Sequence, residues 1–289
     1  MNGHFTILKP GLFTCLQDLG RIQGRDWGLP AGGAMDQLAA SRANLLFDNP
    51  LNTPVVEITG LGPTFQTTHH CQLSITGGTP KIFINKQSVT FSNLISLQAA
   101  DEIQFGAIEN GYRTYLGIKN GFITNTYFGS VSRVAGWHES LRLDRGDKIK
   151  FNTSINKVFL NARVKLNRKK SEHEKITCYR GPEWDILTSD QQQYIFNKDF
   201  TIQPTATRMA FPLSPVVTIL QHQHSLLTVP VVPGVVQLTP AGQLIVLMRD
   251  AQTTGGYPRI LTLNQEGINQ ISQLKIGEKF KIEMKKHIN

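Results

Sequence analysis

The chain has 289 residues, 40% of them apolar and 18% charged, with a formal net charge of +9. The apolar share supports one large core or two ordinary ones, and the charged share, below the globular norm of about 25%, excludes a disordered chain. No apolar run approaches the roughly 20 residues of a membrane helix. The N-terminus has no basic stretch ahead of an apolar one, and Cys15, Cys71 and Cys178 form no C-x-x-C. A cytoplasmic protein with reduced thiols, no membrane partner and no signal peptide is expected.

In chain order, Phe5–Leu8 is the first short β-branched segment. Gln17-Asp-Leu-Gly-Arg21 follows, and then the Gly/Pro-rich loop Trp27–Asp36. That loop feeds a helix expected over Met35–Phe47, with Ala39, Ala43 and Leu46 on one face and a stop at Asp48-Asn-Pro50. Gly32 and Gly33 permit close backbone approach, and the helix N-terminus favours an anion. Asp36 is either a competitor for that position or a polar ligand in its own right. The plainer reading is a capped junction with an Asp18–Arg21 ion pair. No G-K-[ST] follows, so this is not a Walker A loop.

Strands are expected at Val55–Thr59, Leu73–Thr76, Lys81–Ile84, Glu102–Phe105 and Tyr115–Ile118, with a tight turn at Gly77-Gly78. Lys165–Lys175 is almost wholly polar, so it is a domain junction or a long exposed hairpin loop. The basic stretches Arg163–Lys170 and Lys275–Lys286 are not interleaved with aromatics. No nucleic-acid partner is expected; a solvated surface or attraction to an anionic partner accounts for them. A second helix begins at Thr188, whose hydroxyl and Gln191 form a capping box, with Tyr194, Ile195 and Phe196 apolar. His222 and His224 share a strand face, but no third ligand stands at a recognisable spacing, and no metal is expected.

The sharpest segment is the strand Leu244–Met248 running into Arg249-Asp-Ala-Gln-Thr-Thr-Gly-Gly-Tyr-Pro258, ahead of the strand Ile260–Leu263. Gly255 and Gly256 permit positive φ and an anion-binding nest, Thr253 and Thr254 add hydroxyls, Arg249 offers a planar fork, and Asp250 orients it or acts as a base. A hairpin turn whose polar residues satisfy only the backbone stays open. Together these segments read as a mainly β chain with a few helices.

Six segments in order resemble the biotin-dependent carboxyltransferase family: Gln17-Asp-Leu-Gly-Arg21, Gly33-Ala-Met-Asp36, Glu57-Ile-Thr59, Thr76-Gly-Gly78, Val232-Pro-Gly234 with Gln237, and Gln252–Pro258. The resemblance runs over nearly the whole chain. It implies two cyclophilin-like β-barrel domains, over 1–165 and 175–289. It also implies the C component of an ATP-dependent 5-oxoprolinase, which hydrolyses 5-oxo-L-proline to L-glutamate together with a KipI-like B component and a separate A component. The family also contains KipA-type regulators that bind a cyclophilin-like kinase inhibitor, and carboxyltransferases acting on urea-like amides. ATP is then used by the complex, and without a Met-Lys-Met site this chain carries no covalent biotin.

The family pattern matches at Asp18, Arg21, Met35, Asp36, Gln237, Asp250, Gln252, Thr253, Gly255, Gly256 and Tyr257. Asp36, Asp250 and Arg249 are the candidate catalytic residues. Asp18, Arg21, Gly33, Met35, Gln237, Gln252, Thr253, Thr254, Gly255, Gly256 and Tyr257 are the candidates for holding a lactam or amide. Two positions depart from the pattern: Ala251 stands where the family usually has Arg, and Val229 where it commonly has Glu.

Overall fold

The computed structural model describes residues 2–153, 174–217 and 226–285. The junction segment, the basic stretch Arg163–Lys170, and His222 and His224 lie essentially outside them. The regular structure of the described residues is mostly strand, as the short β-branched segments require, with three α-helices. None of these helices is long and apolar enough to cross a membrane.

The chain divides into two compact units, Met1–Gln23 with Gly32–Asn167, and Gly24–Ala31 with Arg168–Asn289. Residues 24–31 therefore cluster with the second unit although the chain on either side of them belongs to the first.

The first unit is a ten-stranded sheet. Its strands are β1 (Asn2–Lys9), β2 (Phe13–Gln17), β3 (Val55–Thr59), β4 (Thr64–Thr67), β5 (Cys71–Ile84), β6 (Gln87–Val89), β7 (Leu94–Leu97), β8 (Glu102–Ile118), β9 (Phe122–Ile123) and β10 (Lys148–Asn152). The sequence reading splits β5 at Gly77-Gly78, but the strand runs through. The glycines sit at register shifts against β8, where a Cβ on Gly78 would lie 2.6 Å from Ile108 Cγ2. They mark a bulge, not a turn. The two segments expected at Glu102–Phe105 and Tyr115–Ile118 are likewise one strand, β8.

Phe5, Phe65, Phe105 and Phe151 fill the core, with ring centroids 5.0 to 6.1 Å apart. Helix α1 (Gln37–Leu45) lays Ala39, Ala40 and Ala43 on the sheet. Small residues let the backbones approach closely enough for Thr76 Oγ1 and Ser74 Oγ to donate to the Ala39 and Ala43 carbonyls, both at 2.7 Å.

The second unit is a closed seven-stranded barrel. It comprises β11 (Glu174–Arg180), β12 (Asp199–Ile202), β13 (Ala210–Ser214), β15 (Val235–Leu238), β16 (Leu244–Leu247), β18 (Arg259–Leu263) and β19 (Lys279–Met284), with a separate ribbon of β14 (Val229–Pro230) and β17 (Thr254–Gly255). Phe200, Phe211, Leu213, Phe280 and Ile282 are buried in the alternation that a one-sided strand demands. Helix α2 (Ser189–Asn197) carries the expected capping box at Thr188 and Gln191. Helix α3 (Gln265–Ile271) goes unread in the sequence; its signal is Asn264, whose side chain accepts from Gly267 N at 2.8 Å.

Candidate functional site

In the first unit Gln17, Asp18, Arg21 and Gly33 form a buried polar hub with Ser130 and Ser132. Asp18 Oδ1 accepts from Gly20 N at 2.8 Å and Ser130 Oγ at 2.6 Å, and Oδ2 accepts from Val131 N at 2.9 Å. The Arg21 guanidinium donates to the Tyr127 and Ser132 carbonyls. Ser132 Oγ accepts from Gly33 N at 2.7 Å and donates to Gln17 Oε1. The Asp18 carboxylate and the Arg21 guanidinium, read as partners in the sequence, thus each clamp backbone of the 127–132 loop. Ser130 and Ser132, the other half of the hub, carry no motif.

The α1 N-terminus is closed from within. Asp36 Oδ1 accepts from Ala39 N at 3.0 Å, so the helix end read as an anion site holds its own capping carboxylate. Met35, fully buried, donates its N–H to Glu57 Oε2 at 2.8 Å. Tyr115 OH donates to the same oxygen at 2.9 Å and accepts from Asp36 N at 2.8 Å. Burial first, then the Glu57 and Asp36 charges, push the Tyr115 phenol well above its ordinary range. It is therefore a neutral structural donor.

In the second unit Gln237, Gln252, Thr253, Thr254, Gly255, Gly256 and Tyr257 gather on and beside the β14–β17 ribbon. Val229 pairs with Gly255 and Pro230 with Thr254, and Val231 N donates to the Thr253 carbonyl at 2.9 Å. Gln252, Thr254 and Tyr257 are exposed, and buried Gln237 donates to the Tyr257 carbonyl at 3.4 Å.

The expected nest is absent: neither Gly255 nor Gly256 has a positive φ. Gly255 is needed for space instead, since a Cβ there would lie 2.6 Å from Gln237 Nε2. Ala251 is buried with Val231, Val235 and Leu247, where its small side chain fits an apolar cluster.

At the root of the ribbon Arg249 is only 6% exposed. Asp250 does not orient it. Both Asp250 oxygens are held by Arg208, through Nε at 2.7 Å and Nη2 at 3.0 Å. The ribbon is held from below as well. Arg25 Nη2 donates to the Val231 carbonyl at 2.7 Å, and Arg259 Nη1 reaches the Pro230 carbonyl at 3.4 Å. Arg259 is itself seated on Glu183 by bonds of 2.6 and 2.9 Å.

The Arg259 side-chain bonds hold the Glu183 carboxyl below its usual range, against the opposing effect of burial. A depressed carboxylate pKa contributes stability that is full above the unfolded value and is lost as pH falls through the folded one. Melting temperatures of the wild type and Glu183→Gln are therefore expected to differ at neutral pH. They should converge below about pH 4, the ordinary glutamate range.

Burial pushes the Cys71 thiol up to about 11 and the Cys178 thiol to about 12, and Cys15 Sγ accepts from Gln17 Nε2 at 3.2 Å. No group of three or more His, Cys, Asp or Glu among the described residues can hold a metal ion.

Comparison with known proteins adds to this geometry. The chain is 29% identical to the C component of Escherichia coli 5-oxoprolinase over 94% of its length and 88% of that protein. It is 27% identical to the C component of Haemophilus influenzae 5-oxoprolinase over 93% and 87%. The fold matches the solved structure of TTHA0988 with a TM-score of 0.84 at 21% identity, covering 97% of this chain and 55% of that one. It matches Kluyveromyces lactis urea carboxylase with a TM-score of 0.81 at 21% identity, covering 96% and 27%. Residues 27–284 match the family model described as carboxyltransferase domain, subdomain A and B, and the chain belongs to that family.

Proposed function

We propose that this chain is the C component of an ATP-dependent 5-oxoprolinase, acting with the B and A components in the cytoplasm to hydrolyse 5-oxo-L-proline to L-glutamate. The observation that carries this reading is the near full-length match to two 5-oxoprolinase C components, with Gln237 and Gln252–Tyr257 gathered on and beside one ribbon. Opening the lactam adds water to the amide carbonyl, passes through an oxyanion, and leaves a carboxylate and an amine. Donors fixed where the oxyanion develops lower that barrier. Thr253, Thr254 and the ribbon backbone take that role here, and Gln237 sets the ribbon's position from beneath.

Asp250 and Asp36 are positioning residues in this reading, because Arg208 and the α1 N-terminus already engage their oxygens. Arg249 supports the ribbon from its buried root. Asp18, Arg21, Gly33 and Met35 set the hub of the first unit.

ATP drives the hydrolysis in the complex. Neither segment read as an anion site fits a triphosphate: the Gly255-Gly256 backbone is not left-handed, and α1 is capped by its own carboxylate. The test is reconstitution with the B and A components and measurement of glutamate release from 5-oxoproline with and without ATP. A complex that forms yet releases no glutamate removes this reading. That outcome favours the KipA-type reading of a partner-binding chain, to which the buried Ala251 in place of a charged residue also points.

A further inference from the structure

Arg249 and Arg21 are the cations that the sequence offers for gripping a carboxylate, yet they are 6% and 4% exposed, and Arg21 spends its donors on two backbone carbonyls. Two more arginines of the second unit, Arg208 and Arg259, are each held by a carboxylate through two side-chain bonds. Arg25 differs from all four. It is half-buried on the 3-10 turn Arg25–Trp27, which is flanked by left-handed Gly24 and Gly28.

Its one side-chain hydrogen bond among the described residues, from Nη2 to the Val231 carbonyl, seats the guanidinium against the ribbon. The adjacent Val231 N–H binds the Thr253 carbonyl. A guanidinium has five N–H donors, so most of this fork is left to bind a ligand, with no carboxylate among the described residues paired to it.

We propose that Arg25 recognises the carboxylate of the small molecule bound at the Thr253–Tyr257 ribbon. This rests on the oxoprolinase reading for the identity of the molecule, but not for the chemistry of the group. The bond to Val231 seats the fork on the residue whose N–H binds the Thr253 carbonyl, at the edge of the ribbon. A planar carboxylate then meets paired N–H donors, a geometry that lysine does not reproduce. The discrimination lies against neutral analogues of the same shape.

The experiment uses the full chain assembled with its partner proteins. Equilibrium dissociation constants are measured for 5-oxo-L-proline and for its carboxamide, with glutamate release followed in parallel. The wild type is expected to prefer the carboxylate by about ten- to hundredfold. Arg25→Gln retains a donor for the Val231 carbonyl and loses the charge, so the preference should fall to near unity; Arg25→Lys should recover only part of it.

A preference unchanged in Arg25→Gln overturns the assignment, even if glutamate release shows the oxoprolinase reading to be right. A preference lost in Arg25→Gln, with no glutamate released by the wild type, upholds Arg25 and removes the oxoprolinase reading. Failure of Arg25→Gln to assemble, with its melting temperature unchanged, shows that the charge faces an acidic side chain of a partner and overturns the small-molecule assignment. No binding of the carboxylate by the wild type overturns it too.

Discussion

Replacing Asp250 by Ala is expected to destabilise the protein by about 3–5 kcal/mol, because a largely buried bidentate ion pair loses one partner while the other charge stays in place. The side chains of Arg208 and Asp250 are only 10% and 14% exposed. Thermal unfolding should show the loss as a drop on the order of 10 °C. The double replacement of Arg208 and Asp250 by Ala should recover part of it, since no charge is then left behind.

The same pair separates two roles for Asp250. A general base gives the pH–rate profile an acidic limb that disappears in Asp250→Asn. A positioning residue lowers turnover in Asp250→Asn and leaves the limb where it was. The bidentate geometry predicts the second outcome, and a vanished limb would return Asp250 to the chemistry.

Gly33→Ala is the second large effect. Gly33 has φ +88°, and a Cβ there would lie 2.6 Å from Gly20 N and 2.7 Å from Leu19 C, both backbone atoms that cannot swing aside. Left-handed strain and overpacking each cost about 1–3 kcal/mol, so the loss is about 2–6 kcal/mol. Gly28→Ala is the matched control: its φ is +77°, but nothing lies within 4 Å of the added carbon. It should cost only the conformational part, about 1 kcal/mol. Equal melting temperatures for the two variants would remove the close approach of the Leu19-Gly20 backbone as the reason for glycine at 33.

Local signals are legible in the sequence, and signals between distant residues are not. The capping box at Thr188 and Gln191 spans one helical turn and forms as expected. The alanine face of α1 follows from helical spacing alone. The glycine pairs mislead in both units because a glycine needed for space has the same local signature as one needed for a turn. Gly78 makes room for Ile108, and Gly255 makes room for Gln237.

The groups that hold the ribbon are 42, 76 and 206 residues apart along the chain: Arg208 with Asp250, Glu183 with Arg259, and Arg25 with Val231. No spacing rule joins them. Arg25 lies in a segment that a reading in chain order assigns to the first domain, whereas it clusters with the second unit. The residues of the candidate site can be found from their order in the sequence, but the groups that position them require the fold.

The ribbon as the place where the substrate is held is tested most directly by Gly255→Ala in the reconstituted complex. The added carbon displaces the Gln237 amide and shifts the ribbon by a fraction of an ångström or more, without breaking the barrel. ATP-dependent glutamate release should fall by about a hundredfold, the cost of a misplacement near 1 Å, while complex formation and melting temperature hold. Release at the wild-type rate by a correctly assembled Gly255→Ala complex would contradict the assignment of the substrate to this ribbon.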